Sequence, residues 1–92
     1  MSMRNDHIRA IIGKNIKGLR TEKRISQEDL AGYANADRSY ISLIERGKNE
    51  PSVSKLFAIC KGLGIKPSMF INLIETEYNK LNTNKDEDGE TN

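Results

Sequence analysis

Arg38 and Ser39, followed one helical turn later by Ser42 and Leu43, are the side chains of this sequence best suited to recognition chemistry. An arginine fork can donate two bonds to guanine O6 and N7, a serine hydroxyl can bond a base edge or a phosphate, and a leucine can touch a thymine methyl. Around them, Gln27, Tyr40 through its hydroxyl, Arg46, Lys48 and Asn49 offer groups that suit phosphate oxygens. Covalent chemistry has little to work with. The only histidine is His7, the only cysteine is Cys60, and no paired carboxylates flank a plausible pocket, so no nucleophile and base can be assembled. His7 reads as a solvated residue at a helix start, and no metal site can be built around it. No catalytic residue, metal or cofactor is therefore expected.

The stretch that must position these side chains is SQEDLAGYANADRSYISLIER, residues 26–46. Its apolar residues fall in two helical phases separated by a short break, which predicts two brief helices joined by a tight turn. Ser26 can cap the first, Gln27, Glu28 and Asp29 fill its opening turn, and Leu30, Ala31 and Ala34 line one face. Asn35 tolerates a left-handed turn, and Asp37 can cap the second helix. In that second helix Ile41 and Ile44 share a face with Tyr40 beside them, while Arg38, Ser39 and Ser42 lie opposite with Leu43 at the edge. Helices this short are marginal alone and must be held by packing. Packing the isoleucines inward leaves the donors outward, the geometry of a helix that enters a DNA major groove.

At these residues the chain resembles the phage-repressor-like helix-turn-helix family, also called the xenobiotic-response-element type. The matching elements are SQEDLA, the small Ala36, YISLIERGK, the Pro51-Ser52 pair and an apolar helix ending in KGLGI. Within that family NADRSYISLIERG is similar to the controller proteins of restriction-modification systems. The resemblance runs from about Ile11 to Phe70, and it departs at Asn35, where the family usually has glycine; slight strain and no change of fold are expected there. It implies an Arg20–Glu45 ion pair, partly buried, tying the first helix to the recognition helix. It also implies a homodimer, with double-stranded operator DNA and RNA polymerase as candidate partners.

The remaining elements predict an all-α, five-helix domain. A first helix over 7–23 carries Ile8, Ile11, Ile12, Ile16 and Leu19 as one stripe, after a polar, frayed start at 1–6. Gly47 suits a left-handed helix stop, and Pro51 discourages helix before it. A fourth helix should start at a Ser52 cap, bury Cys60 as a small hydrophobe and stop at Gly64. A fifth, opening at Pro67 and reaching Leu81, carries more apolar surface than one stripe requires. Phe70 with Leu73 or Ile74 can close the core, and Ile71, Ile74, Tyr78 and Leu81 are the candidate dimer surface.

Ninety-two residues make one modest domain, and 5% aromatics with no tryptophan favour a helical bundle. The expected division is a DNA-binding and dimerisation domain over 1–81 and a disordered acidic tail over 82–92. In the tail one lysine faces four carboxylates, a net of −3, so the net charge of +2 conceals a body carrying +5. A basic body suits a polyanion. The absence of a secretory segment or a long apolar run points to a cytoplasmic chain with no membrane association, and with no ligand domain no small-molecule control is expected. A second reading from another class is an interaction module of antitoxin or anti-repressor type that sequesters a protein. RNA binding is disfavoured because an aromatic stacking platform is missing.

Overall fold

Where each short helix begins, a side-chain oxygen replaces a missing backbone partner. The computed structural model describes residues 3–89, with side chains from Asp6 to Leu81. The helices are α1 (Met3–Glu22), α2 (Gln27–Tyr33), α3 (Arg38–Glu45), α4 (Val53–Leu63) and α5 (Pro67–Gly89), and the described residues contain no strand. Ser26 Oγ accepts from the Asp29 amide at 2.9 Å, Asp37 Oδ1 from the Tyr40 amide at 3.3 Å, and Ser52 Oγ from the Lys55 amide at 3.2 Å. Each bond satisfies one of the orphan donors of a helix start.

The turn between α2 and α3 is closed from outside as well. Asn35 takes the left-handed conformation at φ 54. Lys55, on α4, donates from Nζ to the Ala34 carbonyl at 2.6 Å and reaches the Asn35 carbonyl at 3.3 Å. Those carbonyls end α2 and have no helical partner, so a cation there satisfies both hydrogen bonding and dipole. Gly64 ends α4 at φ 72, as a left-handed stop requires.

The core gathers side chains from all five helices: Ile16, Leu30, Ile41, Ile44, Ile59, Leu63 and Phe70 are fully buried. At the α1–α3 crossing the backbones nearly touch. A Cβ on Gly13 would collide with the Ile44 carbonyl oxygen and lie 2.8 Å from that of Glu45. Only a residue without a side chain lets α1 support the last turn of α3 at this height.

Two ends differ from expectation. α1 begins at Met3, so the polar start is helical from there, because no breaker precedes the apolar stripe and extension of a formed helix needs no new nucleus. α5 continues past Leu81 to Gly89 by the same propagation, taking in most of the acidic segment expected to be unstructured. Residues 90–92 lie outside the described residues. Among the described residues no single helix is long and apolar enough to cross a membrane.

Candidate nucleic-acid interface

On α3 the two faces are cleanly divided. Ile41 and Ile44 are 0% exposed, whereas Arg38 and Ser39 are exposed at its start. One turn on, Leu43 is 37% exposed and Ser42 half-buried. The four side chains expected to meet bases therefore lie at or near the outer surface of one short helix. Ser39 Oγ donates to Asp37 Oδ1 at 3.0 Å, which leaves its lone pairs for an external donor.

Beneath this surface Arg20 on α1 grips Glu45 on α3 with two bonds, Nε to Oε2 at 2.6 Å and Nη2 to Oε1 at 3.1 Å. The side chains are 12% and 3% exposed, so the fork lies in a nearly dry setting where paired geometry matters most. The remaining guanidinium nitrogen, Nη1, donates to the Ile25 carbonyl at 2.8 Å and ties in the loop before α2.

Gln27 was expected to face a phosphate. Within the folded chain its amide also forms a bridge: Nε2 donates one hydrogen to Glu45 Oε1 at 2.9 Å and Oε1 accepts from Arg38 Nη1 at 3.0 Å, while the NH2 has a second hydrogen with which to donate. Nothing in the 26–46 sequence alone distinguishes these uses, because the bridge needs α2 and α3 at their folded angle.

The other expected phosphate groups surround α3. Tyr40 is half-buried against the core, and burial pushes its hydroxyl above the ordinary phenol value, which keeps it a neutral donor at physiological pH. Arg46, Lys48 and Asn49 are exposed in the segment after α3. Asn49 Oδ1 accepts from the Glu50 amide at 3.0 Å, leaving its NH2 free to donate outward. This loop rests on α1: Gly47, at φ 74, lies against Ala10, and Arg9 Nε is 3.5 Å from Glu50 Oε1. Arg9, Gly13 and Lys55 were not singled out from sequence, since each acts on an element distant in the chain.

On α5 one expected surface residue is a core residue. Ile74 is 7% exposed and packs inward with Phe70, one turn before it, and Tyr78 is half-buried against the same core. Leu73 is turned out instead at 40% exposure, with Met69 and Ile71 also exposed and Leu81 at 38%. Spacing alone allowed either Leu73 or Ile74 to close the core; the rotation of α5 chose Ile74. Cys60 is buried, which pushes its thiol up to about 11 and keeps it protonated. Among the described residues no three His, Cys, Asp or Glu side chains converge on a metal-sized site.

Residues 16–70 match the family described as Helix-turn-helix. The control protein C.MunI of Mycoplasma sp is 42% identical over 71 residues, which span 76% of this chain and 96% of that protein. The immunity repressor protein of Bacillus phage phi105 is 38% identical over 80 residues, 84% of this chain; the match spans 56% of the repressor's length. Among solved structures, the restriction-modification controller protein C.AhdI from Aeromonas hydrophila superposes with a TM-score of 0.64 at 34% identity, over 67% of this chain and 94% of that one.

Proposed function

The chain belongs to the helix-turn-helix family, and from that premise we propose that this DNA-binding transcription regulator lays α3 in the major groove and binds a palindromic operator as a homodimer, as a restriction-modification controller. The observation that carries the reading is the division of α3. Its isoleucine face is fully buried, so Arg38 and Ser39 are held outward at the helix start, where repressor-type docking meets base edges.

Arg38 supplies the bidentate readout of a guanine, Ser39 accepts from a base amino group through its lone pairs, Ser42 hydrogen-bonds base edges or sugar-phosphate oxygens, and Leu43 covers a thymine methyl. Tyr40, Arg46, Lys48 and Asn49 bond phosphates on either side, which sets register without reading sequence. One domain offers few base contacts, so two copies are needed, with recognition helices about 34 Å apart. The exposed apolar residues of α5, Met69, Ile71, Leu73 and Leu81, support a second copy as their cover. The regulator acts in the cytoplasm, with RNA polymerase as the further partner through which operator occupancy changes transcription.

Selection of bound fragments from a random duplex pool tests the reading. The expected product is a two-fold symmetric site with half-sites about one helical turn apart, bound with strong salt dependence. Recovery of no enriched sequence by the folded chain would overturn it.

A further inference from the structure

Lys55 stands where its own helix gives it no reason to stand. As the third residue of α4 it puts a cation in the first turn, the end at which the helix dipole favours anions. α2, by contrast, ends at Ala34 with no basic residue in its last turn. Lys55 Nζ crosses to that end and donates to the Ala34 carbonyl at 2.6 Å and the Asn35 carbonyl at 3.3 Å. Among the described residues it pairs with no carboxylate, so these carbonyls are its partners. A charge misplaced for α4 is thus well placed for α2, and it grips the turn at whose far side Asp37 caps α3.

The same residue is tied to the loop after α3. Its amide donates to Ser52 Oγ at 3.2 Å, and only Glu50 and Pro51 separate Ser52 from Lys48 and Asn49, the groups suited to phosphates. We propose that Lys55 is a positioning residue for DNA recognition: it holds the α2–α3 turn against the start of α4, so that α3 and the segment 46–49 meet the duplex in one fixed relation. The proposal rests on the reading of DNA by α3 stated above, and Lys55 itself touches no base. Asn35 is left-handed at φ 54, a conformation that costs a non-glycine residue and persists only where its surroundings hold it. Removing Nζ loosens that hold. Because α3 has only eight residues, a tilt at the turn carries through all of it and displaces every base contact together. Non-specific binding needs only cations near phosphates and tolerates the same tilt.

The test uses the full chain, well below its melting temperature, and two duplexes: the best one selected from a random pool by the wild type, and a scrambled one of the same length and composition. Lys55→Met keeps the aliphatic stem without the ammonium, and Lys55→Arg keeps a cation with its donors. The quantity read is the ratio of the two affinities, in which any uniform effect of lost charge cancels. The expected result is that Lys55→Met lowers this ratio by roughly three- to tenfold, the range open to a residue that acts through a packed neighbour, while Lys55→Arg retains it. In DNA-free protein the Ala36 amide, whose 2.9 Å bond to the Ala31 carbonyl closes the turn, should exchange faster in Lys55→Met by a larger factor than the amide of the buried Ile59. A lowered melting temperature with an unchanged ratio would assign Lys55 to folding alone and overturn the positioning role, as would an equal fall of the ratio in both variants. Arg38→Ala on the same two duplexes separates the two proposals: an unchanged ratio there overturns base reading by α3, and this role with it.

Discussion

Gly13 of α1 lies under the last turn of α3 so closely that a Cβ on it would collide with the carbonyl oxygen of Ile44. The obstacle is backbone, which cannot swing aside as a side chain can. Gly13→Ala should therefore destabilise the fold by about 1–3 kcal/mol through overpacking, despite the better helix propensity of alanine. Urea denaturation reads the loss, and a midpoint equal to or above wild type would show that α1 and α3 can separate freely.

The Arg20–Glu45 fork predicts a larger effect. Glu45→Ala leaves a guanidinium only 12% exposed without its anion, which should cost about 3–5 kcal/mol. The denaturant midpoint should fall accordingly with the slope unchanged. A midpoint scarcely different from wild type would mean that the pair contributes nothing.

On DNA the two kinds of contact separate by readout. Arg38→Ala should lose about 1–3 kcal/mol of preference at one symmetric base position. Lys48→Ala should weaken every sequence by a similar factor and reduce the salt slope by about one per protomer. Binding titrations at several salt concentrations, on the selected duplex and its base-pair variants, distinguish the two; an unaltered base preference in Arg38→Ala removes that residue from the readout.

The two flanks of α5 should respond differently to substitution. Leu73→Asp and Ile71→Asp, both on exposed positions, should shift sedimentation equilibrium towards monomer with little change in monomer stability. Ile74→Ala, in the core, should instead cost about 2–5 kcal/mol of folding free energy. Undiminished dimerisation in both aspartate variants would place the interface elsewhere.

Glu77 gives the fold a pH dependence. Side-chain hydrogen bonds from Lys14 and Asn15 hold its carboxyl below the ordinary glutamate range, against a smaller opposing effect of burial. A folded-state pKa below the unfolded one contributes stability that is present above about pH 4.3, the unfolded value, and is lost as pH falls through the folded value. Glu77→Gln should remove that contribution. Melting curves should show the wild-type advantage over Glu77→Gln at pH 7 shrinking as the solution is acidified below the ordinary glutamate value; an advantage that grew on acidification would reverse the assignment.

Much of this architecture was legible along the chain because its signals are short in range. Capping at Ser26, Asp37 and Ser52, the left-handed Asn35 and the stop at Gly64 involve residues a few positions apart, and the apolar stripes repeat within a turn. Local geometry also assigned the outward face of α3, since Ile41 and Ile44 leave Arg38 and Ser39 only the other side. Tertiary structure alone decided where elements met. The choice of Ile74 over Leu73 depends on the rotation of α5 about its axis, which its packing against α1 and α4 settles. Gln27 became a bridge, and not a free amide, because folding brings the start of α2 beside both ends of α3. Gly13 and Lys55 acquired their roles only through close approach of helices distant in sequence, which no periodicity along one helix can encode.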